Sequence, residues 1–313
     1  MTDSSPTGSR RSDLWNPNRA KSKRDELIVK IVFGACALLS IGTTIGILYT
    51  LIFEMFQFFQ QVPLRDFLFD TQWTPLFTNP QYGIFVLISA TFLTSFIALL
   101  VAVPLGILAA ICLSEYAPRG VRAWLKPALE LLAGIPSVVF GYFALLFVTP
   151  FLRNVLGFDL QTFNGLSAGL ILGISVLPII ASLSEDAIYA VPDSLRQASY
   201  AVGATKRETV INVVLKAALS GIVAAVILGV SRAVGETMIV TLAAGQNPTL
   251  TLDPRVAIQT MTSFIVQVSG GDVAVGSLKY DTLFAVGFTL FLITLILNVF
   301  SFWFVRRFQE KYE

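Results

Sequence analysis

Arg232 and Glu236 are the only charged side chains in the run 217–245, and they are the residues here best placed to do chemistry. Four positions apart, they fall about 40° from one another around an α-helix and so share a face. A guanidinium is a permanent, planar donor that grips an oxyanion through parallel N–H bonds. A neighbouring carboxylate tempers that attraction, and it can accept a hydrogen bond from a protonated oxyanion. Hydrogenphosphate offers such a P–OH, whereas sulfate at neutral pH does not. Arg232 and Glu236, with Thr237 beside them, form the candidate substrate pathway. A self-neutralising structural pair and a latch between two conformations fit the same spacing.

Other chemistry is scarce. Histidine is absent, which removes the commonest general base and metal ligand. No G-x-x-x-x-G-K-[ST] phosphate loop occurs, and no nucleophile–base or metal-ligand cluster is apparent. The two cysteines, Cys36 and Cys112, lie in apolar runs and read as small buried hydrophobes without a disulfide. A net charge of +2 gives no field for nucleic acid. Catalytic and metal residues are therefore expected to be none, with no cofactor held by this chain.

The elements that must position the pair lie in a bilayer. Of the 313 residues, 55% are hydrophobic and only 13% charged, about half the charge of a soluble domain. Mean hydropathy is +0.73. Apolar runs suited to about 20-residue spans cover 31–53, 82–114, 131–152, 160–184, 217–245 and 282–305. The expected fold is all-α with six transmembrane helices and Pro104 kinking the second. Seventeen Lys and Arg fall in the tail, the 114–127 loop, the 182–216 segment and the C-terminus, against four in the loops between. That bias places both termini in the cytoplasm. Residues 1–25, rich in Ser, Pro and Arg, read as a disordered cytoplasmic tail before a six-helix transmembrane domain over 26–313.

Within span five, Ala217, Gly221, Ala225, Gly229, Ala233, Thr237, Thr241 and Gly245 recur every fourth residue. Such a small-residue ridge admits a neighbouring helix backbone, and it suits a subunit interface. Glu130 would open span three as a favourable N-terminal charge. Glu185 and Asp186 read as solvated at the cytoplasmic end of span four.

The cytoplasmic segment 184–212 holds two capping boxes, Ser194-Leu195-Arg196-Gln197 and Thr205-Lys206-Arg207-Glu208, around Gly203. They predict a short helix from Leu195 to Val202, a glycine turn and a second helix start. An amphipathic helix lying at the headgroups is the plainest use of such a segment. The run Gln197-Ala198-Ser199-Tyr200-Ala201-Val202-Gly203-Ala204 also resembles the E-A-A-x-x-x-G motif of ABC importer permeases, with Gln197 in place of Glu and Ser199 in place of Ala. Arg232-Ala233-Val234-Gly235-Glu236-Thr237-Met238 resembles the R-A-x-G-E-T-M segment of phosphate-importing members. Leu132 to Gly141 is similar to their span-three segment. The sister permease of such systems follows R-A-x-G-E-T with Ala-Pro, so Met238 favours this half of the pair.

The resemblance covers about 82–307 and implies the type I ABC importer permease fold. It also implies a heterodimer with a sister permease, a dimer of a separate ATPase that hydrolyses ATP, and a periplasmic phosphate-binding protein. In that family the short helix docks on the ATPase, so Gln197, Ala198, Gly203 and Ala204 are the expected coupling residues. The loop with Asp253, Arg255, Gly270 and Asp272 would face the binding protein, in a bacterial inner membrane. A permease for sulfate or phosphonate and a stand-alone anion carrier remain as alternatives.

Overall fold

The computed structural model describes residues 19–308 except Asp272, with backbone alone for 19–24 and 304–308. The chain divides into two compact units, Met1–Phe53 and Glu54–Glu313. The described part of the first belongs to α1 (Arg19–Gln61), which begins inside the segment expected to be a tail. Residues 1–18 and Asp272 lie outside the described residues.

Beyond α1 come α2 (Leu64–Phe69), α3 (Phe85–Tyr116), α4 (Arg119–Ala133), α5 (Ser137–Asn154) and α6 (Gly165–Tyr189). They are followed by α7 (Asp193–Ala201), α8 (Lys206–Ala217), α9 (Leu219–Gly235), α10 (Met238–Ala243), α11 (Met261–Gly270) and α12 (Leu278–Phe308). Among the described residues the only β feature is a bridge between Trp73 and Tyr82. Among the described residues five helices are long and apolar enough to cross a membrane: α1, α3, α5, α6 and α12. The sixth candidate is α8 with α9, bent by 68° at Ala218.

Among the described residues three helices contain a π turn, in which one extra residue widens the spiral: Cys112–Tyr116 ending α3, Ala144–Val148 within α5 and Val210–Val214 within α8. α3 continues through Pro104 as one helix.

α3 and α6 form the central pair. A Cβ on Gly173 would lie 2.7 Å from Ala98 O, and one on Gly169 the same distance from Ile97 Cβ, so glycine is what lets these backbones approach. Asn164 caps α6 by accepting from Ser167 N at 2.8 Å and donates to Thr149 Oγ1 of α5 at 3.3 Å.

At one end of this pair an edge-to-face aromatic cluster joins Phe58, Phe67, Trp73, Tyr82 and Phe264, with Trp73 and Phe264 centroids 5.0 Å apart. Burial raises the Tyr82 phenol above its ordinary pKa. No motif marks the 54–81 segment, which supplies three of these five rings, Phe58, Phe67 and Trp73. At the other end Ala110, Ile188, Val191, Val214, Ala218 and Ile222 gather the ends of α3 and α6 with α8 and α9.

Several sequence expectations change here. Span five is not one helix over 217–245: α9 ends at Gly235, Glu236 is extended (ψ 135), and α10 starts again at Met238. The small-residue ridge therefore covers only Gly221, Ala225, Gly229 and Ala233 of α9. It packs inside the chain, since a Cβ on Gly221 would meet Ala187 Cβ at 2.4 Å and one on Gly229 would meet Ile180 Cδ1 at 2.7 Å. Span three is likewise divided, because Pro136 disfavours helix at Ile135 and is itself extended. Glu130 consequently lies in the last turn of α4 instead of opening a span. Cys36 and Cys112 are exposed and unbridged, not buried.

Candidate functional site

The break after α9 decides the geometry of the expected pair. Because the helix stops at Gly235, Arg232 and Glu236 no longer share a helical face, and they form no ion pair. The Glu236 carboxylate turns to the next helix, accepting from Met238 N at 3.2 Å and Ile239 N at 3.5 Å. It thereby serves two amides that the start of α10 leaves free. The Glu236 carbonyl accepts from Thr262 Oγ1 at 2.7 Å, which ties the break to α11. Thr237 donates to Gly235 O at 3.3 Å, and its carbonyl receives Thr241 Oγ1 at 2.7 Å. Arg232 is exposed and has no ion-pair or hydrogen-bond partner among the described residues. The structure thus brings Glu236 and Thr237 together at a clamped break, with an uncommitted guanidinium one turn before it. Gly141 packs α5 onto the same place: a Cβ there would lie 2.9 Å from Leu242 Cδ1 and 3.1 Å from Met238 O.

The second site is α7. Its start differs from expectation, since helix begins at Asp193 after Pro192 and Ser194 makes no capping bond. Pro192 supplies the extended entry, which leaves Ser194 inside the first turn. The C-terminal end matches the expectation. Gly203 has φ +86, and Gly203 N and Ala204 N donate back to Tyr200 O and Ser199 O at 3.0 and 3.2 Å, a Schellman closure. The second capping box is complete, with Thr205 N donating to Glu208 Oε2 at 2.8 Å and Glu208 N to Thr205 Oγ1 at 3.3 Å. Gln197, Ala198 and Gly203 are exposed and Ala204 half-buried, while Val202 is 84% exposed, which leaves an open apolar corner on the helix.

Where α4 meets the end of α6 stands a charge cluster that the sequence did not reveal. Glu185, expected to be solvated, is 1% exposed. Arg122 ion-pairs with its Oε1, and Lys126 reaches its Oε2 at 2.7 Å and Asp186 Oδ1 at 2.5 Å. Hydrogen bonds that Lys126 donates to Asp186 and then to Glu185 raise its pKa above the ordinary value. The Arg122 guanidinium also lies 4.0 Å over the Tyr189 ring. Arg122 and Lys126, four apart on α4, were the available signal, because such a pair on one helix face asks for acidic partners.

At the opposite end, Arg255 Nη2 and Nε hold Asp253 at 2.8 and 2.9 Å, lowering its carboxyl pKa to about 2. Gln161 accepts from Ala257 N at 2.8 Å and ties this loop to the start of α6.

Comparison with known proteins places this geometry. Residues 102–313 match the family described as binding-protein-dependent transport system inner membrane component. A probable ABC transporter permease protein of Bacillus subtilis, YqgH, is 35% identical, with 92% of this chain and 91% of that protein covered. The phosphate transport system permease protein PstC of Xylella fastidiosa is 33% identical over 79% of this chain and 80% of its own length. PstC of Haemophilus influenzae is 33% identical over 78% and 82%. Among solved structures, a chain of a bacterial ABC transporter involved in import of the acidic polysaccharide alginate superposes with a TM-score of 0.63 at 16% identity, covering 92% of this chain and 100% of that one. A chain of the MetNI methionine ABC transporter gives 0.53 at 20% identity, covering 73% and 95%. The fold and the extent of these matches agree: the chain belongs to the inner membrane components of binding-protein-dependent ABC transport systems.

Proposed function

We propose that this chain is the PstC-like permease of an ATP-driven phosphate importer. It pairs with a PstA-like permease in a heterodimer, draws on a PstB-like ATPase dimer, and receives phosphate from a periplasmic binding protein. Both termini lie in the cytoplasm, and ATP is hydrolysed by the partner subunit, not here. The observation that carries the substrate assignment is the Arg232–Met238 segment at the break between α9 and α10. Its guanidinium is exposed and uncommitted, while its carboxylate is occupied with the backbone.

In this account Arg232 attracts the phosphate anion, and Thr237 adds a hydroxyl beside it. Glu236 supports the pathway by holding the break open instead of neutralising Arg232. A desolvated oxyanion needs fixed donors, and an arginine without an internal partner supplies them at no cost in broken ion pairs. Closure of the ATPase, received on the exposed face of α7 at Gln197, Ala198, Gly203 and Ala204, alternates access to this passage.

The test is co-purification from native membrane followed by reconstitution with binding protein. Phosphate-stimulated ATP hydrolysis and phosphate uptake are expected. Isolation without an ATPase overturns the transporter reading, and stimulation by sulfate or phosphonate in preference to phosphate overturns the substrate.

A further inference from the structure

α7 exposes Gln197, Ala198, Ala201 and Val202 and turns Leu195, Arg196 and Ser199 toward the rest of the chain. Of the three, Arg196 carries the polar attachments to α3 and α6. Its Nε and Nη2 donate to Glu115 Oε1, in the π turn that ends α3, at 3.2 and 2.8 Å. Nη2 also donates to Ile188 O at 3.0 Å, and Nη1 donates to Val191 O. These carbonyls lie at and just beyond the end of α6, where the helix leaves acceptors free. Asp193, in the first turn of α7 itself, takes Nη1 at 3.3 Å. The Arg196 side chain is 14% exposed and that of Glu115 7%.

One planar fork thus joins the ends of three helices. A guanidinium held on several sides and largely out of water cannot slide without stranding a charge, so its partners move with it. α3 and α6 are already locked together through Gly169 and Gly173. Whatever is fastened to both ends therefore moves both. The polar tie of α7 to α8 is of another kind: beside the short link between them and the packing of Leu195 on the cluster that includes Val214, it is one neutral contact, Ser199 Oγ to Thr209 Oγ1 at 2.9 Å, ahead of the bend into α9. A neutral hydrogen bond between two hydroxyls holds less firmly than charge-assisted bonds, so this polar tie is the weaker of the two.

We infer that Arg196 is the positioning residue through which displacement of α7 is delivered to the α3–α6 pair. The inference rests on the reading of α7 as the coupling helix. It assigns transmission to an inward residue distinct from the outward docking face.

The test reconstitutes the full complex with Arg196→Gln, Arg196→Lys, Glu115→Gln, Ser199→Ala or the Arg196→Gln/Glu115→Gln double variant, and reads phosphate transported per ATP hydrolysed. Arg196→Gln is expected to co-purify with the ATPase and hydrolyse ATP while transport per ATP falls about tenfold, within the usual span of coupling between sites. Arg196→Lys, which keeps charge without the fork, falls partway. Glu115→Gln falls in the same direction by less, the double variant falls no further than Arg196→Gln, and Ser199→Ala costs less than Arg196→Gln. An unchanged ratio in Arg196→Gln overturns the inference, as does an unchanged ratio in Glu115→Gln should Arg196→Gln fail to assemble. An unmodified chain that binds no ATPase overturns the functional reading first, a result distinguishable because it precedes any variant.

Discussion

The uncommitted state of Arg232 makes a sharper claim than a buried ion pair would. Arg232→Gln is expected to abolish phosphate uptake while membrane insertion and ATPase association persist; near-normal uptake would sink the assignment. Because the two side chains do not touch, a double-mutant cycle on stability in detergent between Arg232→Gln and Glu236→Gln should show additive effects within about 0.5 kcal/mol. Glu185 calls for different treatment. Its replacement by Gln removes the negative charge facing Arg122 and Lys126 and one of the two acceptor oxygens, and the loss should be about 3 kcal/mol, seen as a lower melting temperature in detergent. Lys126 adds a pH signature. Its folded pKa is raised, so its contribution is complete below the ordinary value of 10.5 and is lost as pH rises through the higher folded value. The melting difference between the unmodified chain and Lys126→Met should therefore be constant at neutral pH and shrink only in strong alkali. Arg232 and Glu236 were visible in the sequence as charge in an apolar run. Their separation was not, because it depends on one extended residue at 236 that no spacing rule announces.

At the scale of elements, sequence patterning was most informative where a local bond sets the structure. Gly203 and the Thr205–Glu208 box lie where expected because positive φ and reciprocal capping are decided within a few residues. Thr205→Ala should lower stability by about 1 kcal/mol, the usual value of an N-cap, in equilibrium unfolding. The small-residue ridge of α9 was equally visible, but a ridge does not name its partner. Ala187 and Ile180 of α6 fill it, and that pairing follows from the fold as a whole. Gly221→Val should accordingly cost about 1–3 kcal/mol of stability in the isolated chain through overpacking against Ala187. An effect confined to the heterodimer would indicate that the ridge serves a subunit interface after all. Breaks at Ala218 and Glu236 escaped notice because hydropathy registers length and apolarity, not direction.

For the molecule as a whole, scarce charge identified the bilayer, and its distribution predicts orientation. Lys126 with Glu185, Arg196 with Glu115, and Lys206 4.7 Å over the Tyr116 ring all meet at one end of the α3–α6 pair. Residues of the 114–127 and 182–216 segments are thus neighbours in space, as two segments in one compartment would be. A protease-sensitive tag at either terminus should survive in intact spheroplasts and be cleaved only after permeabilisation; cleavage without permeabilisation would reverse the topology. The aromatic cluster at the far end, built from Trp73, Tyr82 and Phe264, was illegible from sequence because its members come from segments nearly two hundred positions apart.

The π turn at Val210–Val214 has a consequence for how such chains tolerate insertions and deletions. A π turn stores one residue more than a regular spiral, so losing a single residue there would leave an ordinary α-helix, every bit as apolar. The widened turn takes up that residue without adding its share of rotation, so what lies downstream would keep its bearing; the same deletion in a regular turn would re-index it by about 100°, the angular share of one residue. α9 would still present its glycine stripe to α6, and Arg232 would hold its bearing. A one-residue deletion in this turn is therefore expected to cost less stability than the same deletion inside α9, although hydropathy would score the two sequences alike.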